Sequence, residues 1–199
     1  MATSASSQEA VPTALTRSQT ARRQRVIAAA IELASAGGYD AVQMRDVATT
    51  AHVALGTIYR YFASKDHLLA ATLVEWTRDL QARVLQRPAR GISPADRVVD
   101  VLWRATRNLE RNPKLTAALI TAVSAPDPAI KDCQREVNDI MVEVLSGAMA
   151  EDVPDDLKAG VCRVMSHVWF SSLVGWVNGW GGGVDIGEEL EVAARLLLR

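Results

Sequence analysis

Arg45, Thr57, Tyr59, Arg60, Tyr61 and Lys65 concentrate guanidinium, ammonium and hydroxyl groups in one short stretch. Such donors bind phosphate oxygens, and an arginine can also give two parallel hydrogen bonds to a guanine edge. Ala54, Leu55 and Gly56 precede them, and the two small residues allow close backbone approach. Upstream, Arg17, Arg22, Arg23 and Arg25 offer further phosphate contacts, Arg22 among them. A second grouping, Cys162, Ser166 and His167, raises the possibility of nucleophilic chemistry. Cys162 and Ser166 stand i, i+4 on one helix, but no carboxylate is placed to orient His167, and an activated nucleophile needs a base and a third group. His167 reads as a half-buried helix residue. Gly181-Gly182-Gly183 follows a helix and lacks a P-loop lysine, so it reads as a linker. No His, Cys or carboxylate cluster has metal-ligand spacing, and no cofactor is expected. A helical enzyme is the weaker reading.

The elements that must hold the basic donors are two short helices between Gln43 and Phe62. Met44, Val47 and Ala48 form an apolar face at i, i+3 and i+4, and Leu55, Ile58 and Tyr59 repeat that spacing. Thr50-Ala51-His52-Val53 joins them, with Val53 plugging the angle. Two helices joined by so short a turn place the second in the DNA major groove. Ser64 is positioned to cap the following helix, with Lys65 beside its N-terminus as a phosphate ligand.

The chain has 199 residues and a formal net charge of −1, so it is not a general nucleic-acid magnet. Its charge is uneven: between Arg17 and Lys65 seven basic residues face only Glu32, Asp40 and Asp46. That is a basic head on a neutral or acidic body. Cys133 and Cys162 lie far apart and read as buried reduced thiols of a cytoplasmic protein. No apolar run approaches the roughly 18 residues of a membrane span, and no membrane partner is expected.

Around these helices the periodicity gives an all-α chain of about nine helices without strands. Residues 1–15 read as a disordered arm, 16–63 as a helix–turn–helix head and 64–199 as a ligand-binding and dimerisation body. The first helix runs to about Ala36 on a stripe of Val26, Ile27, Ala30, Ile31 and Ala34, and Gly37-Gly38 ends it. A helix of about 35 Å from Ser64 to Arg87 bridges head and body. Pro94 and Pro113 open the next two helices, and a fourth body helix ends near Ala150.

The helix from Pro154 to about Val177 is apolar on nearly every face and must therefore be covered on every face. One protomer covers part; a second copy covers the rest. The last two helices of each subunit then form a four-helix interface, with Val161, Val168, Trp176 and Val177 on one and Leu190, Ala193 and Leu197 on the other. Central residues are candidates for a cavity wall: Leu102, Trp103 and Leu119; Val137, Ile140 and Met141; Met165, Trp169, Phe170 and Leu173. Tryptophan and methionine suit a large apolar ligand.

Gly56-Thr57-Ile58-Tyr59-Arg60-Tyr61-Phe62, with Ser64-Lys65, Leu68-Leu69 and the upstream Met44-Arg45-Asp46-Val47-Ala48, closely resembles the signature of TetR-family transcriptional repressors. The resemblance implies a homodimer that binds a palindromic operator and is released by a small ligand. The family commonly opens its second helix with Thr or Ser. Gln43 and Met44 stand there instead, leaving Arg45 as that helix's candidate base contact. More loosely, Gly37-Gly38-Tyr39, Arg111-Asn112-Pro113 with Leu115-Thr116, and Val168-Trp169 resemble the actinobacterial repressors of cholesterol and steroid degradation. That resemblance implies a steroid-derived acyl-CoA thioester as ligand, with Arg104, Arg107, Arg111 and Lys114 as candidate cations at the pocket mouth. A different hydrophobic ligand is the alternative. Repression or activation depends on where the operator lies relative to the promoter.

Overall fold

The computed structural model describes residues 16–180 and 185–198. Expectations for the arm at 1–15 and for the Gly181–Gly183 linker fall outside these residues. Nine α-helices make up the described chain: α1 (Arg17–Gly37), α2 (Met44–Thr50), α3 (Leu55–Tyr59), α4 (Lys65–Gln86), α5 (Pro94–Glu110), α6 (Pro113–Val123), α7 (Lys131–Met149), α8 (Asp155–Asn178) and α9 (Ile186–Leu197). Among them run three 3-10 turns, at Tyr39–Ala41, Pro128–Ile130 and Ala150–Asp152.

The helix ends follow from side-chain caps. Thr16 opens α1 with a reciprocal capping box to Gln19, and Ser93 does the same for α5 with Asp96. Asn112 caps α6 through the Leu115 amide, with Pro113 behind it. Gly38, at φ 74°, ends α1 with a backbone that a side chain would strain. Within α1 the buried stripe is Val26, Ile27, Ala29, Ala30 and Ala34. Ile31 does not belong to it: it faces outward on α1 and remains 37% exposed.

Two apolar clusters hold the molecule. One fills the body between α5, α7, α8 and α9, around Leu102, Leu145, Met149, Met165 and Leu190. The other starts in the head with Val26, Val47, Ile58 and Phe62 and continues through Leu68 to Val74 of α4. It also takes in Ala118, Leu119 and Ala122 of α6 and Ile130 and Cys133 beyond it. Helix α6 therefore lies between both: Leu119 belongs to the head's cluster and its neighbour Ile120 to the body's.

Helix α8 is less enclosed than its composition suggests. Val161, Cys162, Met165, Trp169 and Leu173 are buried, whereas Leu157, Val164 and Phe170 are exposed. On α9, Leu190 and Ala194 are buried while Val192 and Leu196 are 60% and 58% exposed. Val161 and Leu190, expected to meet a second copy, are already covered within the protomer and have no surface to offer. Val168, Trp176, Val177, Ala193 and Leu197 stay half-buried.

Candidate nucleic-acid interface and ligand cavity

Helices α2 and α3 pack on α1 through Val47, Ala48 and Ile58, which leaves their outer faces free. Arg45 is exposed on α2; Ala54, Gly56, Tyr59 and Arg60 are exposed on or beside α3; Leu55, Thr57 and Tyr61 are half-buried. Tyr59, at an apolar spacing in the sequence, is 52% exposed, because Ile58 alone fills the space beneath α3. A Cβ at Gly56 would meet nothing within 4 Å, so no internal packing demands the glycine there.

The turn between α2 and α3 is tight enough to hold His52 at φ 52°, and Val53 donates its amide to Ala48 O at 3.0 Å. Other basic side chains have work inside the head. Arg22 donates to Ser18 Oγ at 3.0 Å while remaining exposed. Arg23 pairs with Glu75 at 2.7 Å and lies over the Phe62 ring, and Arg25 reaches Ala51 O at 3.5 Å. Lys65 is folded back: its ammonium lies 3.6 Å from the Tyr39 ring centroid and donates to Tyr39 O at 3.3 Å. Burial and the hydrogen bond to Asp66 push the Tyr39 phenol up to about 12, so it stays a donor.

Ser64 caps α4 by accepting from the His67 amide at 3.0 Å and donates its own hydroxyl to Asp127 at 2.6 Å. Asp127 in turn accepts from the Ala129 amide, which fixes it in the connection between α6 and α7. At the other end of α6, Asn112 donates to Ser35 Oγ at 2.6 Å and Lys114 to Ala36 O at 2.8 Å. The N-terminal end of α6 is thus bonded to α1 of the head, and the turn that follows α6 is bonded to the cap of α4.

Helices α4, α6, α7 and α8 enclose a cavity of about 610 Å³. Of the candidate wall residues, Leu119, Val137, Met141, Trp169, Phe170 and Leu173 line it. Leu102, Ile140 and Met165 are instead buried in the body cluster, on helix faces turned toward other neighbours. Trp103 sits apart on α5, stacked by the Arg107 guanidinium at 3.7 Å. Leu73, Trp76, Thr77, Leu109 and Thr116 also line the cavity, contributed by helices whose apolar residues serve wall and core alike.

Among the described residues no Lys or Arg lines the cavity, and His167 is its one ionisable side chain. Arg104 is held by Asp100 and Arg87 O, and Lys114 by the end of α1, so these cations are committed to structure. Exposed cations missed by the sequence reading are Lys131 and Arg135 on α7 and Arg163 on α8. Each lies a helical turn from a lining residue (Gln134, Asn138 or Ser166). The Cys162 thiol is buried 3.5 Å from Ser146 Oγ, and His167 is exposed, so the three do not assemble a nucleophilic site.

Residues 26–72 match the bacterial regulatory proteins of the tetR family, and residues 91–197 match the tetracyclin repressor-like C-terminal domain. The chain belongs to the TetR family. Within this TetR-type regulator the match spans helix–turn–helix and body, so it is a DNA-binding regulator rather than an enzyme. It is 38% identical to the HTH-type transcriptional repressor KstR of Rhodococcus jostii (strain RHA1), over 90% of this chain and 84% of that protein. A TetR transcriptional regulator from Rhodococcus sp. RHA1 superposes with a TM-score of 0.83 at 34% identity, covering 92% of this chain and 98% of that one. The fold is shared with Thermus thermophilus FadR in complex with lauroyl-CoA, at 24% identity and a TM-score of 0.67, covering 88% and 93% of the two chains. Among the described residues no helix is long and apolar enough to cross a membrane.

Proposed function

We propose that this TetR-type repressor acts in the cytoplasm as a homodimer on a palindromic operator and leaves it when a bulky apolar ligand fills the cavity. Arg45, Tyr59 and Arg60 meet the major groove and its phosphates, with Arg22, Thr57, Tyr61 and Lys65 at the margins. Gly56, bare toward solvent and not required by internal packing, gives clearance for the DNA backbone. The half-exposed apolar stripe on α8 and α9, Val164, Val168, Val192, Ala193 and Leu196, is the surface that joins two copies. Two heads on such a dimer must reach successive groove faces about 34–36 Å apart.

The observation that carries the reading is that α6 lines the cavity while its N-terminal end is bonded to α1 of the head and the turn after it to the cap of α4. A ligand that displaces α6 changes where the head sits, and an occupied state with the wrong head spacing binds the operator less well. The similarity to KstR favours a steroid-derived acyl-CoA thioester, and the same fold holds lauroyl-CoA in the Thermus protein. The apolar part then lies in the cavity and the charged part outside it, near Lys131, Arg135 and Arg163.

Fluorescence anisotropy on a palindromic operator fragment tests this, titrated with a steroid-derived acyl-CoA and with its free acid. Release by the thioester at lower concentration than by the acid is expected. Tight operator binding unmoved by both compounds would discard the steroid assignment while leaving the DNA-binding head intact.

A further inference from the structure

Two polar side chains of the cavity wall, Asn138 and His167, are exposed to solvent, and the others are already engaged with one buried exception. Thr77 Oγ1 donates to Leu73 O at 2.8 Å, Thr116 Oγ1 to Leu109 O at 2.7 Å and Ser124 Oγ to Ile120 O at 2.7 Å. Gln134 Nε2 donates to Val123 O, and the Trp169 indole donates to Thr106 Oγ1 at 2.9 Å. Ser166 differs. It lines the cavity, its Oγ is shielded from solvent, and among the described residues no hydrogen-bond partner reaches it. A helical serine commonly returns its hydroxyl to the carbonyl four residues back, as Ser172 does to Val168 O at 2.9 Å on the same helix. The other buried side-chain donor without a well-formed hydrogen bond, Arg104 Nη2, still faces Asp100 Oδ2 at 2.7 Å.

The position of Ser166 on α8 gives the orphan a direction. Trp169, Phe170 and Leu173 follow at i+3, i+4 and i+7, and all three line the cavity, so Ser166 belongs to the same stripe. Turning its χ1 carries the hydroxyl along that wall at the cost of no existing bond. An unpaired buried hydroxyl is unfavourable until something bonds to it, and water gains little beside Trp169, Phe170 and Leu173, which offer it no second hydrogen bond along the α8 stripe. Among the described residues the lining holds no Lys or Arg, and its single ionisable side chain, His167, is exposed at the solvent side, so the buried part of the wall offers a charged group no counter-ion.

We infer that Ser166 is the polar anchor of this cavity, and that its ligand carries an uncharged carbonyl or hydroxyl oxygen on the part lying against α8, within an otherwise apolar body. The inference rests on the cavity being the inducer site. It makes Ser166 a specificity-determining residue, since a site built to bond an oxygen discriminates against the same skeleton without it.

The test uses 5α-androstan-3-one and its deoxygenated parent 5α-androstane, with binding read from the emission of Trp76 and Trp169 in the full-length protein. Wild type is expected to prefer the ketone about fivefold to tenfold, the range of one hydrogen bond in a buried site. Ser166→Ala should bind both compounds equally, keep its melting temperature and operator affinity, and Ser166→Thr should restore the preference. A ketone preference that survives in Ser166→Ala, equal binding by wild type, or no binding of either compound overturns the inference. Val137→Trp, which places an indole in the cavity, separates the two levels. Loss of both probes supports their placement there, whereas undiminished binding would sink the cavity reading itself.

Discussion

The Ser64 hydroxyl donates to Asp127 Oδ2 across 2.6 Å, joining the cap of α4 to the cap of the 3-10 turn after α6. Ser124, on the cavity wall, lies three residues before Asp127, and α3 ends five residues before Ser64. One hydrogen bond therefore ties the turn after the α6 wall to the cap of α4, the residue next to the head. Asp127→Ala should lower the denaturation midpoint, and a double-mutant cycle with Ser64→Ala should give losses that are not additive. The concentration of ligand needed for half-release should rise in Asp127→Ala. An unchanged release curve would place the coupling at the Asn112 end of α6 instead.

Gly56→Ala separates folding from DNA binding. The added methyl meets nothing inside the protein, and alanine favours helix over glycine, so stability should stay level or rise by about 0.5–1 kcal/mol. Operator affinity should fall at least tenfold. Affinity equal to wild type would show that α3 does not approach DNA with this face.

Among the basic residues, the slope of binding against salt distinguishes the contributions. Arg60→Ala should reduce that slope by about one, because Arg60 is exposed and ready for a phosphate. Lys65→Ala should also weaken binding to all sequences, but with an added stability loss of about 0.5–1 kcal/mol from the contact with Tyr39. Arg45→Ala should relax preference at one base pair by about 1–3 kcal/mol, measured with single-substitution operators.

His67 sets an acid limit on stability. Burial holds its folded pKa below the ordinary 6.5, while its Nδ1 accepts from the Ala63 amide at 3.1 Å, a bond that only the unprotonated nitrogen makes. Asp127 opposes the shift and Arg23 reinforces it, both less than burial does. The unfolded chain therefore takes the proton first: stability is full above about pH 6.5 and falls as pH drops toward the folded value. His67→Gln should flatten the denaturation midpoint in that window. An equally steep fall in His67→Gln would show that His67 does not set this limit.

Ala150 carries avoidable strain. It ends α7 at φ 53°, ψ −148°, a region that glycine occupies and side chains resist. Ala150→Gly should raise stability by about 1 kcal/mol, seen as an upward shift in melting temperature. A lower melting temperature would show that the backbone relaxes there at no cost.

The head is readable from sequence because its signal is local: Val47, Ala48 and Ile58 set the helices, and a four-residue turn leaves few arrangements. The body resists the same reading. Leu102 and Met165 carry the same apolar pattern as Leu119 and Met141, yet only the latter two face the cavity, because helix rotation depends on neighbours distant in sequence. Val161 and Leu190 look like the exposed Val164 and Val192 for the same reason. Arg104 and Lys114 look like free cations until Asp100, Arg87 and Ala36 are brought beside them.

Because Leu119 of α6 and Leu68 to Val74 of α4 complete the head's own cluster, the head is not a portable cassette. A fragment ending at residue 63 would leave Phe62, Ile58 and Val26 without their cover. Grafting this recognition surface onto another regulator therefore requires carrying α4 and the inward face of α6 along with it.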